Sequence, residues 1–155
     1  MRKRSFVRMS SIVFFAVASI AGTTALLADD ADDLIKYRQA GMKVLGGHIG
    51  SIVPVVKGKV ADQGHLAMHA AGLAAQAEVL LDLFPKGSDH GETNAKPNIW
   101  ENWDDFKTKA ENLRRESAKL AELGKAGDVN GFKEQVGAVG KTCKGCHDDY
   151  RKEKK

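Results

Sequence analysis

Two cysteines and a histidine stand together near the end of the chain, in Cys143-Lys144-Gly145-Cys146-His147. Thiols are nucleophiles and soft metal ligands, and a neutral imidazole is a common axial ligand of haem iron. On a helix, residues three and four apart share a side, so Cys143, Cys146 and His147 project together. C-x-x-C-H is the attachment signal of a c-type haem. Its two thiols add across the vinyl groups, and the adjacent imidazole reaches the iron. The segment therefore predicts covalent haem c, one per chain, with His147 as an iron ligand.

Three other chemistries use similar residues. A thioredoxin-like dithiol also has C-x-x-C, but it expects a βαβ setting and a helix N-terminus. A zinc site needs further ligands, and adjacent Cys and His do not suit the usual finger spacings. An ordinary disulfide between the two cysteines of an exported chain is the plainest alternative. Haem outranks all three because the histidine follows the second cysteine directly.

The elements that must carry this segment are helical. Four stretches have helical periodicity and none has sustained strand-like alternation. The first, Asp32 to Val56, places Ile35, Arg38, Met42, Leu45, Ile49, Ile52 and Val56 on one seam. Gly46, Gly47, Gly50 and Pro54 weaken it, and a bend near Pro54 is expected. The second, Ala61 to Phe84, carries Leu66, Ala70, Leu73, Ala77, Leu80 and Phe84, and Pro85 stops it. A polar loop from Lys86 to Lys96 follows. The third opens near Pro97 or Asn98 and carries Ile99, Trp103, Phe106, Ala110, Leu113, Ser117 and Leu120, with Gly124 as its stop. The fourth begins at Asp128, an N-cap, and its seam runs Val129, Phe132, Val136, Val139, Cys143, Cys146, Tyr150. The cysteines thus continue a buried face. Four amphipathic helices with short connections predict an all-α antiparallel four-helix bundle.

The first 28 residues stand apart. A basic start (Arg2, Lys3, Arg4, Arg8), an apolar run from Ile12 to Ala21 and small residues before Ala25 or Ala28 have the layout of a secretory signal. The expected domain is 29–155, exported to the periplasm. No second apolar run of spanning length follows, so the mature chain is expected to be soluble. The full chain has 24 Lys plus Arg against 20 Asp plus Glu. Removing the leader takes four basic and no acidic residues, leaving 20 of each. The basic balance is a targeting feature, and nucleic acid is not an expected partner.

Three further segments match one known pattern in order and spacing. They are Tyr37-Arg38-Gln39-Ala40-Gly41-Met42, then Thr93-Asn94-Ala95-Lys96-Pro97-Asn98-Ile99-Trp100, then Val139 to Arg151. Together they resemble the cytochrome c′ family over essentially the whole mature chain. The resemblance implies that Arg38, Gln39 and Asn94 line the haem, with Arg38 near a propionate. A charge on a helix seam independently needs such a partner. Arg151 resembles a basic residue flanking the proximal face. Met42 matches the position facing the open side of the iron. In many relatives an apolar residue there leaves the iron five-coordinate. In some low-spin relatives a methionine there binds it, which raises the reduction potential.

His48, His65, His69 and His90 read as surface or boundary residues. Trp100, Trp103, Phe106 and Phe132 read as core. From sequence, the leading expectation is a single-electron carrier serving redox partner proteins, with Met42 as sixth ligand and no catalytic residues. Its rival is a five-coordinate haem protein that binds nitric oxide or carbon monoxide. A dithiol oxidoreductase comes third. Family members are often dimers through their first two helices, so a homodimer stays open.

Overall fold

The computed structural model describes residues 31–61 and 64–153, and the expected leader lies outside them. Helix α1 spans Ala31–Val56, α2 Leu66–Glu78, α3 Asn98–Glu101, α4 Trp103–Ala126 and α5 Val129–Tyr150. A 3-10 turn at Leu81–Leu83 follows α2. The one-turn α3 aside, this is the expected antiparallel four-helix bundle. The described residues hold no strand, only a single bridge between Ala95 and Arg151.

Helix α1 keeps most of its predicted seam. Ile35, Arg38, Leu45 and Ile52 are buried, while Met42, Ile49 and Val56 pack half-buried against the core. Asp32 and Asp33 occupy the first turn, where the helix dipole favours anions. Pro54 lies inside the last turn, and the helix ends at Val56, so the expected bend is in fact a termination. A chain reversal through Gly58, at φ 66°, then leads away.

The second predicted helix is shorter than its periodicity implied. Gly64, at φ 79°, cannot continue a right-handed helix, so α2 starts after it, not at Ala61. At the other end α2 stops at Glu78, and Leu80, Leu83 and Phe84 reach the core through the 3-10 turn. The third predicted helix breaks at Asn102 (φ −117°, ψ 47°) into α3 and α4. Its stop is also displaced. Gly127, at φ 70°, is the C-terminal residue whose N–H bonds back to the Gly124 and Leu123 carbonyls. Gly124 itself remains helical and gives close passage, since a Cβ there would lie 3.2 Å from Ala67 Cα and 3.1 Å from the Phe132 ring. Asp128 caps α5 as expected, its carboxylate accepting from Gly131 N–H at 2.9 Å. Val129, predicted on the seam, is exposed.

The core runs the length of the bundle, with Ile52, Leu73, Leu120 and Val139 essentially sealed from solvent. At one end it becomes aromatic. Phe106 packs edge-on against Phe84, with ring centres 4.7 Å apart, and against Tyr150 at 5.3 Å. Helices α1 with α2, α2 with α4, and α4 with α5 pack along their lengths, whereas α1 barely touches α5. The ring of helices is thus left slack along one side.

Candidate functional site

Cys143, Cys146 and His147 occupy successive turns of α5 and are all half-buried. Their spacing does bring them to one side. Both cysteines pack on the apolar cluster that also includes Met42 from α1. Neither is in a disulfide. Burial pushes the Cys143 thiol above its ordinary pKa and carries that of Cys146 up to about 11. A redox dithiol needs the opposite shift, because the thiolate is the attacking form. For His147, burial disfavours the charged ring and Arg151 one turn later adds repulsion, with Asp148 opposing more weakly. The imidazole is therefore held toward the neutral form that ligates metals.

Beyond α2, the loop after Pro85 is tied down by α1. Arg38 is buried, 3% exposed, and is held from three directions. Its Nη1 donates to Ser88 Oγ at 2.6 Å, and its Nη2 donates to the Ser88 carbonyl at 2.8 Å and Thr93 Oγ1 at 2.9 Å. The guanidinium also lies over Phe84 and Trp100, at 5.1 and 5.6 Å from the ring centres. Burial lowers its pKa. All these partners are neutral, and among the described residues no ion pair to Arg38 is formed. Gln39 and Asn94 are exposed. Gln39 Nε2 donates to the Glu92 carbonyl at 2.8 Å, and the Asn94 carbonyl accepts from Lys152 N–H at 2.8 Å.

The same loop reaches α5. Lys96 N–H donates to the Tyr150 carbonyl at 3.0 Å, and Lys152 Nζ donates to the Thr93 carbonyl at 3.0 Å. Segment 88–96 therefore connects Arg38 and Gln39 on α1 with the residues just after His147. Tyr150 donates to Asp105 at 2.6 Å, and Lys109 pairs with Asp149 at 2.9 Å, joining the end of α5 to α4. Sequence reasoning missed Ser88 and Glu92. Ser88 is fully buried inside a polar loop, and no local pattern marks it.

His65 and His90 are exposed, while His48 and His69 are half-buried and meet each other between α1 and α2. Trp103, Phe106 and Phe132 serve as core, and Trp100 anchors the loop by donating to the Phe84 and Pro85 carbonyls.

The fold and this face define a helical-bundle protein with a C-x-x-C-H helix. Its relatives give the family. The cytochrome c′ profile matches residues 33–151. The chain is 37% identical over 131 residues to cytochrome c′ of Halomonas halodenitrificans, covering 80% of this chain and 99% of that one. The solved cytochrome c prime of Shewanella frigidimarina superposes with a TM-score of 0.77 at 33% identity, covering 81% and 99%. A nitric oxide complex of a cytochrome c prime mutant from Alcaligenes xylosoxidans superposes at 0.76 with 31% identity, covering 82% and 99%. The chain belongs to the cytochrome c′ family, whose members bind covalently attached haem c with its iron. The residues fit that group. Two free, half-buried thiols and a neighbouring ring held toward neutrality are chemically suited to it.

Proposed function

We propose that the chain binds small diatomic gases, nitric oxide in particular, at a five-coordinate haem attached through Cys143 and Cys146 with His147 on the iron. This reverses the order expected from sequence, where the electron carrier came first. The observation that carries it is the likeness, over 82% of this chain, to a cytochrome c prime captured with nitric oxide. When bound, haem iron would supply an electrophilic centre for a diatomic ligand.

The protein's own groups have distinct tasks. His147 would donate a neutral nitrogen to the iron. Met42, half-buried on α1 and packed against the core, would restrict access to it. Arg38 supplies a buried positive charge for a haem propionate. Supporting this role, a buried guanidinium with only neutral partners remains short of a counter-charge. Gln39 and Asn94 complete the rim. Residues 1–28 direct export to the periplasm and leave a mature domain of 29–155.

Titrating nitric oxide into the reduced, haem-loaded protein under anaerobic conditions tests this reading. Saturable binding at one gas per haem is expected. Absence of binding would overturn it. The second reading is a single-electron carrier with the Met42 sulfur on the iron. It is favoured by Met42 sharing one apolar cluster with Cys143 and Cys146.

A further inference from the structure

His48 of α1 and His69 of α2 bring like atoms together, Nδ1 to Nδ1, at 3.2 Å. Their rings meet edge-on, with centres 5.5 Å apart and planes at 62°. Both side chains are half-buried. The position is built into the backbone. Residue 72 is glycine, and a Cβ there would run into Cε1 and Nε2 of the His48 ring. Gly72 thus lets the His48 ring lie against α2 and covers its Nε2 edge, leaving Nδ1 as the nitrogen turned to His69. Beside the pair is a cavity of about 300 Å³, lined in part by His69, His65 and Ser51, large enough to admit water.

Two imidazole nitrogens this close share either one proton or one cation. The distance fits an imidazole–imidazole hydrogen bond and also accommodates a bridging cation. Nitrogens each ~2.0–2.1 Å from a zinc ion stand ~3.3–3.4 Å apart at a tetrahedral angle and ~2.9 Å apart at a right angle. The observed 3.2 Å falls between these limits. Among the described residues no group of three or more His, Cys, Asp or Glu is placed to hold a metal ion. The arrangement is therefore an open one, with two protein nitrogens and the remaining positions left to water.

We propose that His48 and His69 form a binding site for a divalent d-block cation such as Zn²⁺, clipping α1 to α2. The clip would act where α1 is weakest. Gly46, Gly47 and Gly50 flank His48, and a Cβ at any of them would meet no protein atom. A ligand bound only by the folded state raises stability by mass action, so Zn²⁺ would raise the unfolding temperature.

Calorimetric titration of ZnCl2 into the haem-loaded protein at neutral pH tests this, with thermal unfolding as a second readout. One Zn²⁺ per chain is expected, and its binding should raise the unfolding midpoint. His48→Gln and His69→Gln should each weaken binding by roughly tenfold or more and abolish the thermal shift. Gly72→Ala keeps both imidazoles but displaces the His48 ring, and should also weaken binding. His90→Ala, altering an exposed loop histidine, should change nothing. An unaltered haem spectrum in each variant confirms that it folds. The proposal is overturned if wild-type protein takes up no Zn²⁺, or if both glutamine variants bind it as tightly as wild type.

Discussion

On α5, Cys143, Cys146 and His147 reach a common side because they are three and four residues apart. On α1, Arg38 is held by Ser88 and Thr93, which lie 50 and 55 residues further along the chain. The first arrangement is local, set by helical spacing alone. The other is assembled from a loop, two aromatic rings and hydrogen bonds between distant segments. The local side should tolerate changes elsewhere in the fold. The assembled side should fail when one connection is removed.

The largest effect is expected on the local side. Replacing both Cys143 and Cys146 with Ala should remove all haem that survives acid extraction of the denatured protein. It should also lower stability by about 3 kcal/mol or more, because the apolar porphyrin surface would no longer be buried on folding. A variant that kept covalent haem, or matched the wild type in denaturant unfolding, would break the account of the α5 face.

Arg38→Leu probes the assembled side. It leaves the Ser88 carbonyl and Thr93 hydroxyl without their buried donor, at a cost of about 2–4 kcal/mol. Denaturant unfolding should show this loss, and the haem should remain covalently attached. A loss below about 0.5 kcal/mol would mean that Gln39 and Lys152 hold the loop without Arg38.

These two sides explain how much could be read from sequence. The bundle, its seams, the Asp128 cap and the C-x-x-C-H face were legible because each depends on neighbours within a turn or two. The end of α2 and the break at Asn102 were not. In both places the apolar period continues through Leu83 and Phe106 while the backbone leaves the α-helix. Arg38 was legible as a buried charge needing a partner, but Ser88 was not legible as one of its partners. A serine in a polar loop carries no sign of burial until the tertiary structure forms.

A pair of glycines on α1 sharpens the contrast at smaller scale. A Cβ at Gly41 would lie 2.7 Å from Leu83 Cδ1 and 3.2 Å from Gln76 Nε2, so Gly41→Ala should cost about 1–3 kcal/mol. Gly50 is exposed, and a Cβ there meets no protein atom, so Gly50→Ala should add about 0.5–1 kcal/mol. Equal effects at the two positions would contradict the packing described for α1 against α2 and the 3-10 turn.

The end of α5 adds a pH signature. Burial, then the hydrogen bond to Asp105, raises the Tyr150 hydroxyl from 10 to about 12. The folded state keeps this proton through a range where the unfolded chain loses it, so stability falls as pH rises from about 10 to about 12. Tyr150→Phe should flatten that part of the pH profile. An unchanged slope would assign the alkaline loss to other groups.

The central claim is that Met42 stands aside and leaves the iron five-coordinate. The electronic and paramagnetic resonance spectra of the ferric protein, with and without Met42→Ala, test it most directly. A five-coordinate iron gives a high-spin ferric signal that the substitution leaves unchanged. A low-spin signal in the native protein, converted to high spin by Met42→Ala, would contradict it and make the chain a methionine-ligated electron carrier.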